Sequence, residues 1–179
     1  PTDDETCSRL GSAYGRLGDP EREMATYDAV VASRPHCWQP YWWIANAHYR
    51  RGHVTASIRA FREMVLRAPD LYRGYSNLGG LLVLDGDYGA AIDTLKRSLA
   101  LHPTKSAFDN LGTAYFNSGR IDETVGTYNQ AFQIGLAEYD SWLNIGDAYF
   151  FLHGEKHQAA EAYAQAIRLG REQMRIRSE

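Results

Sequence analysis

A small residue recurs at almost fixed intervals along this chain. Gly11, Ala45, Gly79, Gly112 and Gly146 stand 34, 34, 33 and 34 residues apart. An aliphatic residue precedes each one (Leu10, Ile44, Leu78, Leu111, Ile145), and Cys7, Tyr41, Tyr75, Phe108 and Trp142 stand four before. Three after come Tyr14, His48, Leu82, Tyr115 and Tyr149. A second glycine follows in every unit, at Gly18, Gly52, Gly86, Gly119 and Gly154. Beyond it lie Tyr27, Phe61, Leu95, Tyr128 and Tyr163, and Pro35, Pro69 and Pro103 close the first three units. Spacings of three and four put the leading residues on one face of a helix. The second glycine breaks that helix, and a second one follows. Each unit is therefore two short helices joined by a turn. A lone pair cannot bury its apolar stripe, so neighbouring units must stack.

This order of positions resembles the tetratricopeptide repeat and its W-x2-L-G-x2-Y…A-x3-F…P pattern. The resemblance covers residues 4 to about 172. It implies an all-α, right-handed α–α superhelix (a solenoid) of five helix–turn–helix repeats in a single domain, 1–179. The repeats fall at approximately 4–37, 38–71, 72–104, 105–138 and 139–172, with 173–179 a helical extension or cap. First helices would line a concave wall and second helices the outside. An anchor glycine costs about 1 kcal/mol of helix propensity relative to alanine; close approach of the partner helix is the expected compensation. Asp19, Asp87 and Asp122 are expected to cap second helices. Two slips in the period, one before Ser106 and one within 152–156, are expected to lie in turns.

Composition narrows the function. Hydrophobic residues make up 44% of 179, which excludes disorder, and a net charge of −3 gives no general electrostatic reason to bind nucleic acid. The longest aliphatic run, Leu81 to Leu84, is too short for direct membrane insertion. No basic-then-apolar leader opens the chain. The first residue is Pro1, which fits a fragment or a processed product. The expected setting is a soluble domain of the cytoplasm, or an extracytoplasmic one if joined to a membrane-anchored kinase-like parent. The last unit also resembles the repeats of bacterial multidomain proteins, in which an array follows a Ser/Thr kinase or a winged-helix regulator. That implies a sensing or docking arm.

Binding in such an array falls to first-helix residues three and two before the anchor, one after it, and four and five after it. In unit two these include Trp42, Trp43, Asn46, Tyr49 and Arg50; in unit three Asn77, with Arg73 near the mouth. Unit four supplies Asp109, Asn110, Thr113, Phe116 and Asn117, and unit five Asn144, Asp147 and Phe150. Asn77, Asn110 and Asn144 share one position, and a carboxamide can pair with both N–H and C=O of an extended peptide. The row is similar to the asparagine ladder in the repeat domain of the O-linked N-acetylglucosamine transferase. It is interrupted by Trp43 in unit two; asparagines bonded only to neighbouring helices are the alternative. Trp42 and Tyr49 are expected in the groove and Trp38 between units, with Arg50 and Arg73 placed to meet a carboxylate. The chaperone-tail carboxylate clamp of the family is not matched, because Trp42, Ser106 and Asn110 occupy its basic positions.

Nothing in the chain resembles a catalytic constellation. There is no phosphate-cradling glycine loop, nucleophile elbow or H-E-x-x-H, and no Cys/His metal spacing. Cys7 reads as a small buried hydrophobe. No enzyme activity, cofactor or metal is expected. The expected function is a protein–protein interaction scaffold that holds a partner's peptide segment. The alternatives are homo-oligomerisation through Phe150, Phe151, Met174 and Ile176, or service as the regulatory arm of a larger enzyme.

Overall fold

A computed structural model describes residues 4–136 and 138–177. Ten α-helices follow in order: α1 (Asp4–Arg16), α2 (Pro20–Ser33), α3 (Gln39–Arg50), α4 (Val54–Arg67), α5 (Tyr72–Asp85), α6 (Tyr88–Leu101), α7 (Lys105–Asn117), α8 (Ile121–Gln133), α9 (Tyr139–Asp147) and α10 (Lys156–Arg177). They pair and stack as a right-handed superhelix of helix–turn–helix units, with no strand among the described residues.

The anchor glycines sit where helices of a pair touch. A Cβ on Gly79 would lie 2.4 Å from Leu95 Cγ, and on Gly112 2.5 Å from the Tyr128 ring. Gly11 and Gly146 meet Tyr27 and Tyr163 in the same way. Leu95 and Tyr128 are fully buried by this approach, and burying such a side chain stabilises by about 1.5–3 kcal/mol. That offsets the propensity lost at the glycine. Buried serines add polar staples: Ser57 Oγ donates to the Ala45 carbonyl at 2.8 Å and Ser98 Oγ to the Tyr72 carbonyl at 3.0 Å.

The turns repeat atom for atom. Gly86 adopts φ +85° at the end of α5, a conformation that costs a residue with a Cβ about 1–2 kcal/mol. Asp87 N–H then donates back to the Leu82 carbonyl, and the same five-residue closure joins Asp19 to Tyr14, His53 to His48 and Arg120 to Tyr115. Asp19 and Asp87 cap α2 and α6, accepting from the backbone N–H of Arg22 and Ala90. Asp122 does not cap: Arg120 holds the N-cap position of α8, and Asp122 lies in the first turn, where its charge still faces the positive helix end.

Unit five departs from the pattern. Its closing bond runs from Glu155 N–H to the Tyr149 carbonyl, six residues apart. The additional residue is taken up by a π-helical segment, Ala148–His153, and not only by the turn expected to hold it. The other slip does fall between helices, before Lys105. After the π-helical segment, α10 runs through Met174 and Ile176, both exposed, to Arg177. Residues 178 and 179 of the expected extension lie outside the described residues.

The apolar core follows the stack. Its larger part runs from Ala45 through Ile58, Leu81 and Leu95 to Tyr115, with Trp38 and Tyr41 packed against it. A smaller cluster of Tyr128, Ile145 and Ala162 joins α8, α9 and α10. Where the two meet, polar links take over: Lys105 Nζ lies 2.8 Å from both Asp109 and Asp140. Burial raises the Asp109 carboxyl above its ordinary range despite this pairing.

Candidate functional site

First helices α3, α5 and α7 place side chains around one open cavity of about 470 Å³. Asn46 and Tyr49 come from α3, Ser76, Asn77, Gly80, Val83 and Leu84 from α5, and Ser106 and Asn110 from α7; Phe61 and Leu81 form the apolar floor. Volume and lining have the character of a small-ligand or peptide site, apolar below with a few convergent polar groups. Two smaller cavities are also present, the first of them continuous with it through shared residues. One of about 340 Å³, toward the helix N-termini, is lined by Trp42, Tyr72, Arg73 and Thr104 and shares Ser76, Asn77 and Ser106 with the first. The other, about 220 Å³, lies across α7 and α9 between Thr113, Phe116, Asn117, Asn144 and Asp147.

The carboxamides are not equivalent. Asn46 and Asn77 each donate from Nδ2 to the carbonyl four residues back, Trp42 at 2.7 Å and Arg73 at 2.9 Å. Their Oδ1 atoms remain as acceptors. Asn110 makes no side-chain hydrogen bond among the described residues and lies under Gly80, where a Cβ would approach its Nδ2 to 2.9 Å. Asn144 donates to the Tyr128 hydroxyl at 2.9 Å, while Tyr163 donates to Asp147 at 2.7 Å. Burial pushes the Tyr128 hydroxyl up to about 12, and Tyr163, desolvated and bound to Asp147, likewise to about 12. Both stay protonated at neutral pH, Tyr128 accepting from Asn144 and Tyr163 donating to Asp147.

Four expected groove residues stand elsewhere. Trp43 packs on Tyr27 of the preceding unit, ring centroids 5.6 Å apart. Arg50 is drawn to the buried Glu23 carboxylate at 2.5 Å, and Arg51 pairs with its other oxygen. Asp109 is engaged by Lys105. Phe150 lies in the π-helical segment, edge-on to Phe151. Trp42 does reach the groove, but its ring also stands edge-on to Phe61 at 5.7 Å, so it carries packing as well as surface. Thr104 and Tyr72 line the groove without having been expected there, beside Ser106 at its clamp position. So does Phe61, a second-helix residue whose ring reaches through to the concave side. A separate cavity of about 550 Å³ between α8, α9 and α10, lined by Val125, Trp142 and Gln165, also has no counterpart in the sequence reading.

Among the described residues no group of three or more His, Cys, Asp or Glu is close enough to hold a metal ion. No helix among them is long and apolar enough to cross a membrane.

A family model described as tetratricopeptide repeat matches residues 8–71, 44–106 and 110–174. The chain belongs to the tetratricopeptide repeat (TPR) family. A curated relative, the tetratricopeptide repeat-containing protein trd-1 of Caenorhabditis elegans, is 26% identical over 163 residues, covering 87% of this TPR chain. The match spans only 19% of that relative's length. Among solved structures, MamA superposes with a TM-score of 0.83 at 21% identity, over 93% of this chain and 97% of its own. MamA from Desulfovibrio magneticus RS-1 gives 0.82 at 18%, over 95% and 96%. YrrB, described as a TPR protein with an unusual peptide-binding site, gives 0.79 at 18%, over 97% and 89%. These likenesses establish the fold. TPR arrays of this kind create extended concave binding surfaces.

Proposed function

We propose that the chain is a non-catalytic binding module whose concave face captures an extended peptide segment of a partner protein. One observation carries this reading: three consecutive first helices converge on one cavity in which Asn46, Asn77 and Asn110 stand over an apolar floor. The two Oδ1 acceptors and the whole Asn110 carboxamide match the alternating N–H and C=O groups of an extended chain. The floor of Phe61 and Leu81 takes one apolar side chain. Main-chain recognition of this type makes affinity tolerant of sequence, with selectivity set by what surrounds the cavity. The wider roles, including service as the docking arm of a larger regulatory protein, rest on the same groove.

Gly80→Leu tests it. The new side chain would project at Asn110, whose flexible amide supplies the three nearest atoms to a Cβ there, and replacing glycine in a helix returns about 1 kcal/mol of propensity. Twelve-residue peptides selected from a random displayed library on the natural chain should lose binding to Gly80→Leu while its melting temperature stays level or rises. Peptides that bind both forms equally would refute the groove.

Self-association is the second reading, favoured by the exposed Phe150, Phe151, Ile167, Met174 and Ile176 near the C-terminal end. Light scattering over a concentration series should then show growth in mass, and a constant monomer mass would dismiss it.

A further inference from the structure

The groove is lined almost wholly by neutral side chains, and its two charges stand apart, one on α5 and one on α9. In the main cavity and the two smaller ones the only charged lining residues are Arg73, on the N-terminal turn of α5, and Asp147, at the end of α9. Arg73 is exposed, donates from Nε to its neighbour Tyr72 at 3.2 Å, and has no ion-pair partner among the described residues. Asp147 accepts one bond from the Tyr163 hydroxyl and likewise has no cationic partner among them. The other charges near the concave side are engaged within the fold: Arg50 and Arg51 share Glu23, and Lys105 bridges Asp109 and Asp140. This contrast separates a structural set from a pair facing the groove.

The geometry points to a peptide of fixed charge polarity: the groove selects a segment with an acidic residue, or a terminal carboxylate, at Arg73 and a basic residue at Asp147. The inference rests on the concave face being the docking site. Two helix-to-helix steps of about 8–10 Å separate α5 from α9. Roughly 20 Å of extended chain at about 3.3–3.6 Å per residue places the two charges about six residues apart. The α7 side chains Asn110, Thr113 and Asn117 fall between them, so the selected segment is acidic, then neutral, then basic, read in either chain direction. A guanidinium offers a forked donor to a carboxylate, so the Arg73 end is the more demanding of the two. Repulsion does as much as attraction: a partner with a base near Arg73 or an acid near Asp147 is rejected.

Charge reversal tests this. Twelve-residue peptides are selected from a random displayed library on the natural chain, then synthesised and measured by fluorescence anisotropy. The expected consensus has one acid and one base about six apart. Arg73→Glu should weaken such a peptide by about tenfold or more, and exchanging the peptide's acid for lysine should restore binding to that variant. Asp147→Lys should show the mirror behaviour, rescued by exchanging the peptide's base for glutamate. Asp147→Asn keeps an acceptor for Tyr163 and should weaken binding without altering the melting curve. Selected peptides without the charge pair, or charge exchanges that fail to rescue, would overturn the polarity. If those peptides still lose binding on Gly80→Leu, the groove stands and only its polarity falls. If no peptide is enriched over Gly80→Leu, both fall together.

Discussion

Single atoms decide much of this fold. The Tyr128 ring is buried against Gly112, where a Cβ would stand 2.5 Å away. Gly112→Ala should therefore lose about 1–3 kcal/mol to overpacking in a urea titration, despite its better helix propensity. Gly126, on the same helix pair, has nothing within 4 Å of its Cβ position, so Gly126→Ala should gain up to about 1 kcal/mol. Equal effects at the two sites would contradict the close-approach explanation. His48 occupies the ring position of unit two with its Nδ1 buried and unpaired. Burial lowers its pKa below 6.5, helped by His53, Arg51 and Arg59 and opposed by Asp28. A lowered folded-state value means the unfolded chain binds the proton more readily. The stability His48 supplies is thus whole above about pH 6.5 and falls away as pH drops through the folded-state value. His48→Phe should flatten the melting temperature between pH 7 and pH 5; an unchanged pH dependence would exclude His48 as its source.

At the level of helices and turns, the chain's regularity and its one lapse have the same cause. A closing bond from the residue after the second glycine fixes each helix pair, over five residues in four units and six in the last. The extra residue forces i→i+5 bonding over Ala148–His153, and such bulges tend to sit beside functional positions. Here it directly follows Asp147. Deleting Phe151, which is largely exposed, would restore the five-residue closure and should leave the unfolding midpoint level or higher. A loss of about 2–5 kcal/mol, the size of a vacated core position, would show instead that the bulge is part of the packing. The asparagine row obeys a rule between elements as well. The second-helix ring of one unit points at the position two before the next anchor. Tyr27 meets Trp43, and Tyr128 carries a hydroxyl that takes Asn144. Phe61 and Leu95 carry none, so no such hydroxyl takes Asn77 or Asn110.

For the molecule as a whole, helix pairs and their stacking were readable because close packing imposes a period that single residues cannot evade: the anchors and the second glycines stand where sterics demand them. The Asp19 and Asp87 caps were readable for the same local reason. Contacts between units were not. Glu23, on a second helix, is buried with Arg50 and Arg51, 27 and 28 residues away, and that pairing draws Arg50 from the groove. Trp43 sits at a groove position by count, but the space beside Tyr27 accommodates an indole better than water does. Asp109 is diverted by Lys105 because Asp140 arrives beside it from unit five. Trp43 and Arg50 each choose a partner one repeat away, whereas Asp109 is held by Lys105 of its own helix. The proposed function requires that α3, α5 and α7 together hold a ligand on their concave face. Amide chemical shifts of the isotope-labelled chain, followed while a selected peptide is titrated in, address it directly. The largest shifts are expected in the side-chain amides of Asn46, Asn77 and Asn110 and the backbone around Gly80. Shifts confined to α8 and α10, around Val125 and Gln165, would contradict it.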